Sequence, residues 1–250
     1  AASGERIIYR DGVEVARDTA SAHYQGSGEF TIGYAPQDKQ FFKGSIDEVR
    51  IWNGVRSAEE VEASFDVASY ITKDPIQTYY DPLTGREDAL QAYWKLDELS
   101  DDILYDVSGE REFALSFDAT LHGVSRTTDG PVGDGGALSF DGYNDYLTVP
   151  NLQLSGDTTF ETWINVEAHN NNARILDFGN RPLEDNVVLS FIDETGTLRL
   201  SSGIGADSLS VDSTTVISLS TWTHVAFTIE GTDAKDAQGR SLAIGKIFVD

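Results

Sequence analysis

Apolar and polar residues alternate with a period of two in short runs along nearly the whole chain. Successive side chains of a β-strand point to opposite faces, so such a run marks a strand with one buried face. In the run from His224, residues Val225, Phe227 and Ile229 fall on one face while His224, Ala226 and Thr228 fall on the other. Similar runs, rich in β-branched and aromatic residues and bounded by Gly, Asp, Asn and Ser, predict further strands. They lie at Arg6 to Tyr9, Phe30 to Tyr34, Ser45 to Trp52, Ala92 to Leu96, Ala137 to Phe140, Tyr146 to Val149, Thr158 to Val166, Arg174 to Phe178, Val187 to Ile192, Thr197 to Ser201 and Lys246 to Val249. This is the signature of an all-β chain, an antiparallel sandwich or barrel. The one helical signal is short: Ser57 is an N-cap and Glu60 stands three residues later, as a capping box requires. Between Asp66 and Ala89, Asp74-Pro75, Asp81-Pro82 and Gly85 interrupt any regular element. A linker is therefore predicted over residues 67–89, dividing the chain into 1–66 and 90–250.

Five motifs of the second part follow one another in a recognisable order. They are Ala92-Tyr93-Trp94-Lys95-Leu96-Asp97-Glu98, Asp106-Val107-Ser108-Gly109, Gly136 to Leu147 with Phe140-Asp141-Gly142-Tyr143-Asn144-Asp145-Tyr146 at its centre, Phe160-Glu161-Thr162-Trp163-Ile164, and Trp222-Thr223-His224-Val225-Ala226-Phe227. The first part carries a hairpin at Tyr9-Arg10-Asp11-Gly12-Val13, a strand at Phe30-Thr31-Ile32-Gly33 and a closing strand at Phe42 to Trp52. In this content and order the chain resembles the laminin-G-like branch of the concanavalin-A-like lectin and glucanase superfamily. The resemblance implies a two-sheet antiparallel jelly-roll sandwich, with residues 90–250 as the front of a module and 1–66 as the rear of one.

The rear half thus precedes the front half, and one strand occurs twice. Ile247-Phe248-Val249-Asp250 matches Ile8-Tyr9-Arg10-Asp11 position for position. Tandem modules cut at equivalent points would produce this order and this duplication. The expectation is that 1–66 and 90–250 belong to consecutive modules of an array. Two other arrangements complete the sheets equally: the first part folding back as in a circular permutation, or the first part of another copy entering the sandwich.

Composition narrows the partners. Eighteen basic against 42 acidic residues give a formal charge of -24, which repels nucleic-acid phosphates and anionic lipid headgroups. The chain has no cysteine, so disulfides and thiolate metal sites do not contribute. No apolar run approaches the ~20 residues that span a bilayer. Absence of methionine, the initiator included, suggests a window internal to a longer precursor. The expected setting is an extracellular or cell-surface protein of a bacterium or archaeon, whose partners are neighbouring repeats or copies of itself, with glycans or surface proteins as ligands.

Catalysis is not expected. Hydrolases of this superfamily carry alternate acids on one face of a strand, where they flank a glycosidic bond. Here Asp47 and Glu48 are adjacent, and strict alternation sends them to opposite faces. His23, His122, His169 and His224 are scattered singly, without metal-ligand spacing. Calcium is the candidate cofactor, because it takes 6–8 oxygen ligands and the turn from Phe140 to Tyr146 is rich in oxygen. A second reading of that turn is equally open: its Asp and Asn residues bond their own backbone. The resemblance adds that an Asp on the closing strand helps hold a calcium beside the opening strand, and Asp47 is similar to that residue. The candidate metal ligands are Asp47, Asp97, Asp141 and Asp145, with Asp47 expected in a different module from the other three. His169-Asn170-Asn171-Asn172 is the candidate ligand loop, since exposed amides are a means of sugar recognition. Trp52, Trp94, Trp163 and Trp222 lie inside strand motifs and are expected in the core.

Overall fold

The period-two runs do become strands. A computed structural model describes residues 6–10, 13–18, 29–35, 40–62, 89–98, 102–108, 117–131, 135–150, 152, 157–179, 186–203, 209–235 and 241–249. Its strands are β1 (Arg6–Arg10), β2 (Val13–Asp18), β3 (Glu29–Ile32), β4 (Lys43–Trp52), β5 (Leu90–Trp94), β6 (Ile103–Leu104), β7 (Ala119–His122), β8 (Ser125–Thr127), β9 (Ala137–Asp141) and β10 (Tyr146–Val149). They continue with β11 (Thr158–Ala168), β12 (Arg174–Gly179), β13 (Asn186–Phe191), β14 (Thr197–Gly203), β15 (Leu209–Val216), β16 (Trp222–Lys235) and β17 (Ser241–Val249).

Two sheets form. One runs β2-β1-β17-β16-β11-β4-β9-β8, with β5 also paired to β4; the other runs β15-β14-β13-β12-β3-β10-β7-β6. Pairing is antiparallel within both, apart from β1 on β17. Between the sheets lies one core, built from alternate residues: Val225, Phe227 and Ile229 of β16, Phe160, Ile164 and Val166 of β11, and Ile46, Val49 and Ile51 of β4. Phe30, Phe178, Leu189 and Leu200 meet them from the other sheet. Phe30 alone lies 6.3 Å from Trp94, 6.5 Å from Phe160 and 5.7 Å from Phe178 between ring centroids.

The arrangement differs from the expectation of two separate modules. β4, from the first part, is hydrogen-bonded to β11 on one side and to β5 and β9 on the other. Likewise β3 lies between β12 and β10. Residues from both parts therefore share both sheets. The physical reason is edge pairing: without β3 and β4, the strands β9, β10, β11 and β12 would each present an unpaired backbone edge and part of an apolar face. The linker expected over 67–89 falls, apart from residue 89, outside the described residues. Both copies of the duplicated strand are in the sheet, β17 antiparallel to β16 and β1 parallel to β17, with Tyr9 opposite Phe248.

A bulge in β4 corrects the expected placement of Asp47 and Glu48. Asp47 pairs with Trp163 and Arg50 with Glu161, so three steps along β4 match two along β11. Glu48 absorbs the extra residue at a φ of 52°. Ile46 and Val49 consequently both enter the core, while Asp47 and Arg50 both turn to the outer face of the sheet, beside Trp163 and Glu161.

Candidate functional site

The outer face of the larger sheet carries a layer of buried charge. Glu48 accepts hydrogen bonds from Arg50 Nη2 and from the Tyr93 hydroxyl, each at 2.5 Å, and the Arg50 guanidinium lies 4.7 Å over the Tyr93 ring. Beside it, Glu161 is fully buried and pairs with Arg56, whose guanidinium lies 4.3 Å over the Trp52 ring. His224 Nε2 is 3.9 Å from Glu161 Oε2, and its ring meets Trp163 edge-on at 5.3 Å. Burial first, and then the charges of Arg50 and Arg56, push His224 down to about 3. It is neutral at physiological pH. The capped helix, residues 58–62, covers part of this face. Ser57 and Glu60 bond each other's backbone nitrogens, as the sequence predicts, and Val61 packs on Ala226.

Asp47 stands at the margin of this layer, 2% exposed, with its Oδ1 lacking any hydrogen-bond partner among the described residues. Burial, then the charges of Glu48 and Asp97, push its carboxyl up to about 9. Asp97 lies three residues beyond the end of β5, and its Oδ1 accepts from the Gly136 nitrogen at 2.7 Å. Asp47 and Asp97 thus stand together in one sandwich, not in different modules. Both are oxygen donors, and a buried carboxylate with an unused lone pair is chemically suited to a calcium ion as two carboxylates of its shell.

Asp141 and Asp145 are elsewhere. Gly136 immediately precedes β9 and Asp141 ends it, roughly 16 Å apart at about 3.3 Å per residue, so the four candidate acids cannot share one ion. Among the described residues, no three His, Cys, Asp or Glu side chains are grouped to hold a metal. Asp141 Oδ1 accepts from the nitrogens of Tyr143 at 2.7 Å and Asn144 at 3.2 Å, and Asp145 Oδ2 accepts from Asp141 N at 2.8 Å. These carboxylates stabilise the turn itself, in which Gly142 has a φ of 78°. Asp145 is buried, which raises its carboxyl above the ordinary value.

The expected ligand loop lies beside this turn. Lys43 of β4 pairs with both Asp141 of β9 and Ala168 of β11, drawing the turn and the loop to one rim of the sandwich. A Cβ placed on Gly142 would be 3.2 Å from Asn170 Nδ2, which fixes how closely the two approach. Asn171 and Asn172 are exposed, and Tyr143 is 79% exposed at the tip of the turn. Lys43 and Glu167 form a 3.8 Å ion pair on the same rim. His169 departs from this picture: it is half-buried, 5.3 Å from the Phe191 ring, and packed where any Cβ on Gly196 would strike it. Its position is structural, while the amides beyond it are available.

The remaining expectations are met unevenly. Trp94 is in the core, its Nε1 donating to the Phe117 carbonyl at 2.9 Å, whereas Trp52 and Trp163 are buried in the outer charge layer. His122 stacks on Tyr146 at 4.3 Å, and His23 lies outside the described residues. Sequence reasoning missed the Arg56–Glu161–His224 group; a charged residue in the middle of a strand, Phe160-Glu161-Thr162, was its available signal. The exposure of Tyr143 was also not foreseen, although an aromatic side chain amid Asp, Gly and Asn is poorly placed for burial.

No curated protein and no solved structure matches the chain. The Laminin_G_3 family of the Concanavalin A-like lectin/glucanases superfamily matches residues 1–62 and 141–238. Domains of this kind are generally binding modules and usually non-catalytic, although the superfamily includes glucanases. With more than half of its residues matched, and with its strands in two packed sheets, the chain belongs to the Laminin_G_3 family.

Proposed function

We propose that the chain is a non-catalytic binding and spacing module of a large extracellular adhesin or matrix protein, and that it contacts glycans through the rim formed by Tyr143, Asn170, Asn171 and Asn172. The observation that carries this reading is the pairing, at one rim, of a fully presented aromatic ring with a cluster of amides. A sugar is held by apolar contact with its ring faces and by hydrogen bonds to its hydroxyls, and these groups supply both. The carboxylates of the outer face support the non-catalytic part. Glu48 is engaged by Arg50 and Tyr93, Glu161 by Arg56, and Asp47 is enclosed. None is presented to a polymer in the way a hydrolytic pair must be. Calcium, bound through Asp47 and Asp97, is a stabilising ion in this proposal; it supplies positive charge to a buried carboxylate and no chemistry.

A glycan array run with and without calcium tests the reading. Binding that falls at least about tenfold in both Tyr143→Ala and Asn170→Ala, with melting temperature unchanged, is expected if the rim is the contact surface. Ligands retained at full affinity by both variants would move the site elsewhere.

A further inference from the structure

Of the nine asparagines in the chain, one is followed by glycine: Asn53, at the corner where β4 leaves the sheet. Its side chain is exposed. A Cβ placed on Gly54 would meet no atom within 4 Å, so the space beside this residue is open. Among the described residues the Gly54 nitrogen donates no hydrogen bond. An asparagine carboxamide and the backbone nitrogen of the next residue are one ring closure apart. In other residues a Cβ crowds that approach, and glycine removes it.

The flanks of this dipeptide are pinned. Asn53 N donates to the Ala89 carbonyl at 2.6 Å, and the Gly54 carbonyl accepts from the Thr159 hydroxyl at 2.7 Å. The same hydroxyl oxygen accepts from Arg56 N at 3.0 Å. Arg56 in turn pairs with the buried Glu161 and donates to the Glu60 carbonyl at 2.6 Å. The corner thus delivers Arg56 to its buried partner over a link of fixed length, and the atoms able to react lie between the two anchors.

We propose that Asn53-Gly54 is a spontaneous modification site, converting to aspartyl and isoaspartyl linkages, and that the isoaspartyl form loosens the hold of Arg56 on Glu161. The Gly54 nitrogen attacks Asn53 Cγ and forms a C–N bond. The side-chain nitrogen leaves as ammonia, carrying the proton that the Gly54 nitrogen gives up. Water then adds to one carbonyl of the cyclic imide, and the C–N bond at that carbonyl breaks. Opening at Cγ leaves aspartate, whereas opening at the backbone carbonyl routes the chain through Cβ and Cγ. Either product adds a negative charge. The isoaspartyl product also adds one backbone atom between the Ala89 and Thr159 anchors, which a link of fixed length cannot absorb without shifting the corner that carries Arg56. The site lies at the far end of β4 from Lys43, about 30 Å away at about 3.3 Å per residue, and is therefore independent of the glycan rim.

The test is to age the protein at mildly alkaline pH and physiological temperature, then to map its peptides by mass. Asn53 is expected to show the mass gain of exchanging ammonia for water before any other asparagine does, and to give two chromatographic forms of equal mass. Gly54→Ala, which restores the obstructing Cβ in open space, and Asn53→Gln, whose ring would be one atom larger, should both keep their amides over the same period. The aged protein should gain a component melting about 2–4 °C or more below the fresh protein, in proportion to its isoaspartyl fraction. Asn53→Asp, which supplies the charge without the extra atom, should melt with the fresh protein. An Asn53 amide that lasts as long as those of Asn170, Asn171 and Asn172 overturns the proposal. Conversion with unchanged melting, or an Asn53→Asp variant that melts as low as the isoaspartyl component, overturns the loosening of Arg56.

Discussion

Asp47 and His224, on the same outer face of the sheet, hold opposite protonation anomalies. In calcium-free protein the Asp47 carboxyl is pushed up to about 9 by burial and then by Glu48 and Asp97, from an ordinary value of 3.8. Between those values the folded state binds a proton that the unfolded state has released, so this group makes stability fall as pH rises. His224 is pushed down to about 3 from 6.5, by burial and then by Arg50 and Arg56. Between those values the unfolded state binds the extra proton, so this group makes stability fall as pH drops. The two slopes oppose each other between roughly pH 4 and 6.5, and above that window Asp47 acts alone. The expected thermal profile is a plateau to about pH 6.5 and a decline toward pH 9. Asp47→Asn should flatten the decline and stabilise the protein near pH 8 by on the order of 1–3 kcal/mol. His224→Gln should extend the decline down to about pH 4 by removing the opposing slope. Calcium should raise the melting temperature of the unmodified protein at pH 8 and leave Asp47→Asn unchanged. Equal melting with and without calcium removes the calcium proposal. Little of this was legible in the sequence, where Asp47 is one of 42 acids. Its proximity to Asp97 depends on β4 lying beside β5, a contact across the whole linker.

At the scale of the element, β4 is the most constrained strand, hydrogen-bonded along both edges. Gly44 shows the tightness: it lies opposite both Val166 and Phe140, has a φ of 146°, and a Cβ there would approach the Asn165 carbonyl oxygen to 2.2 Å. The obstacle is backbone held by a ladder and cannot swing aside. Gly44→Ala is expected to cost about 3 kcal/mol or more, measured by denaturant unfolding; a cost below about 1 kcal/mol would show that β4 and β11 are less closely joined. Strand identity was largely readable here. Tyr146–Val149 is the predicted span unchanged, and Ser45 to Trp52 is short by two residues. Ala92 to Leu96 overran because Leu96 takes a φ of 60°, which no propensity of leucine announces. The Glu48 bulge was hidden for the same reason, since Asn or Gly is the usual sign of a left-handed residue. β15 went unpredicted because Leu209–Val216 is mostly Ser, Thr and Asp and has only a weak apolar alternation.

For the whole molecule, the shared sheets imply shared stability. The Phe30 ring, from the first part, packs on Trp94, Phe160 and Phe178 of the second, so neither part retains its core without the other. A single cooperative thermal transition is expected, coincident by tryptophan fluorescence and far-ultraviolet circular dichroism. Two separated transitions would mean that the parts fold independently, as consecutive modules do. The motifs of both halves were readable in order, and so was the duplicated strand. Which rear half joins which front half is decided by effective concentration within the chain and by edge pairing, and neither leaves a mark on local sequence.

The insertion of β3 and β4 among later strands also bears on biosynthesis. β4 ends at Trp52, and its long partner β11 begins only at Thr158, about 100 residues further on. At roughly 5–20 residues per second, the ribosome needs on the order of 5–20 s to deliver that partner. During that interval only β5 and β9 emerge to pair with β4, both on its other edge, so the edge that β11 will cover stays open and Ile46, Val49 and Ile51 lack the rest of their core. Its protection must come from chaperones or from nearby nascent chain, and the acidic residues flanking it keep neighbouring nascent copies apart by charge repulsion until β11 emerges.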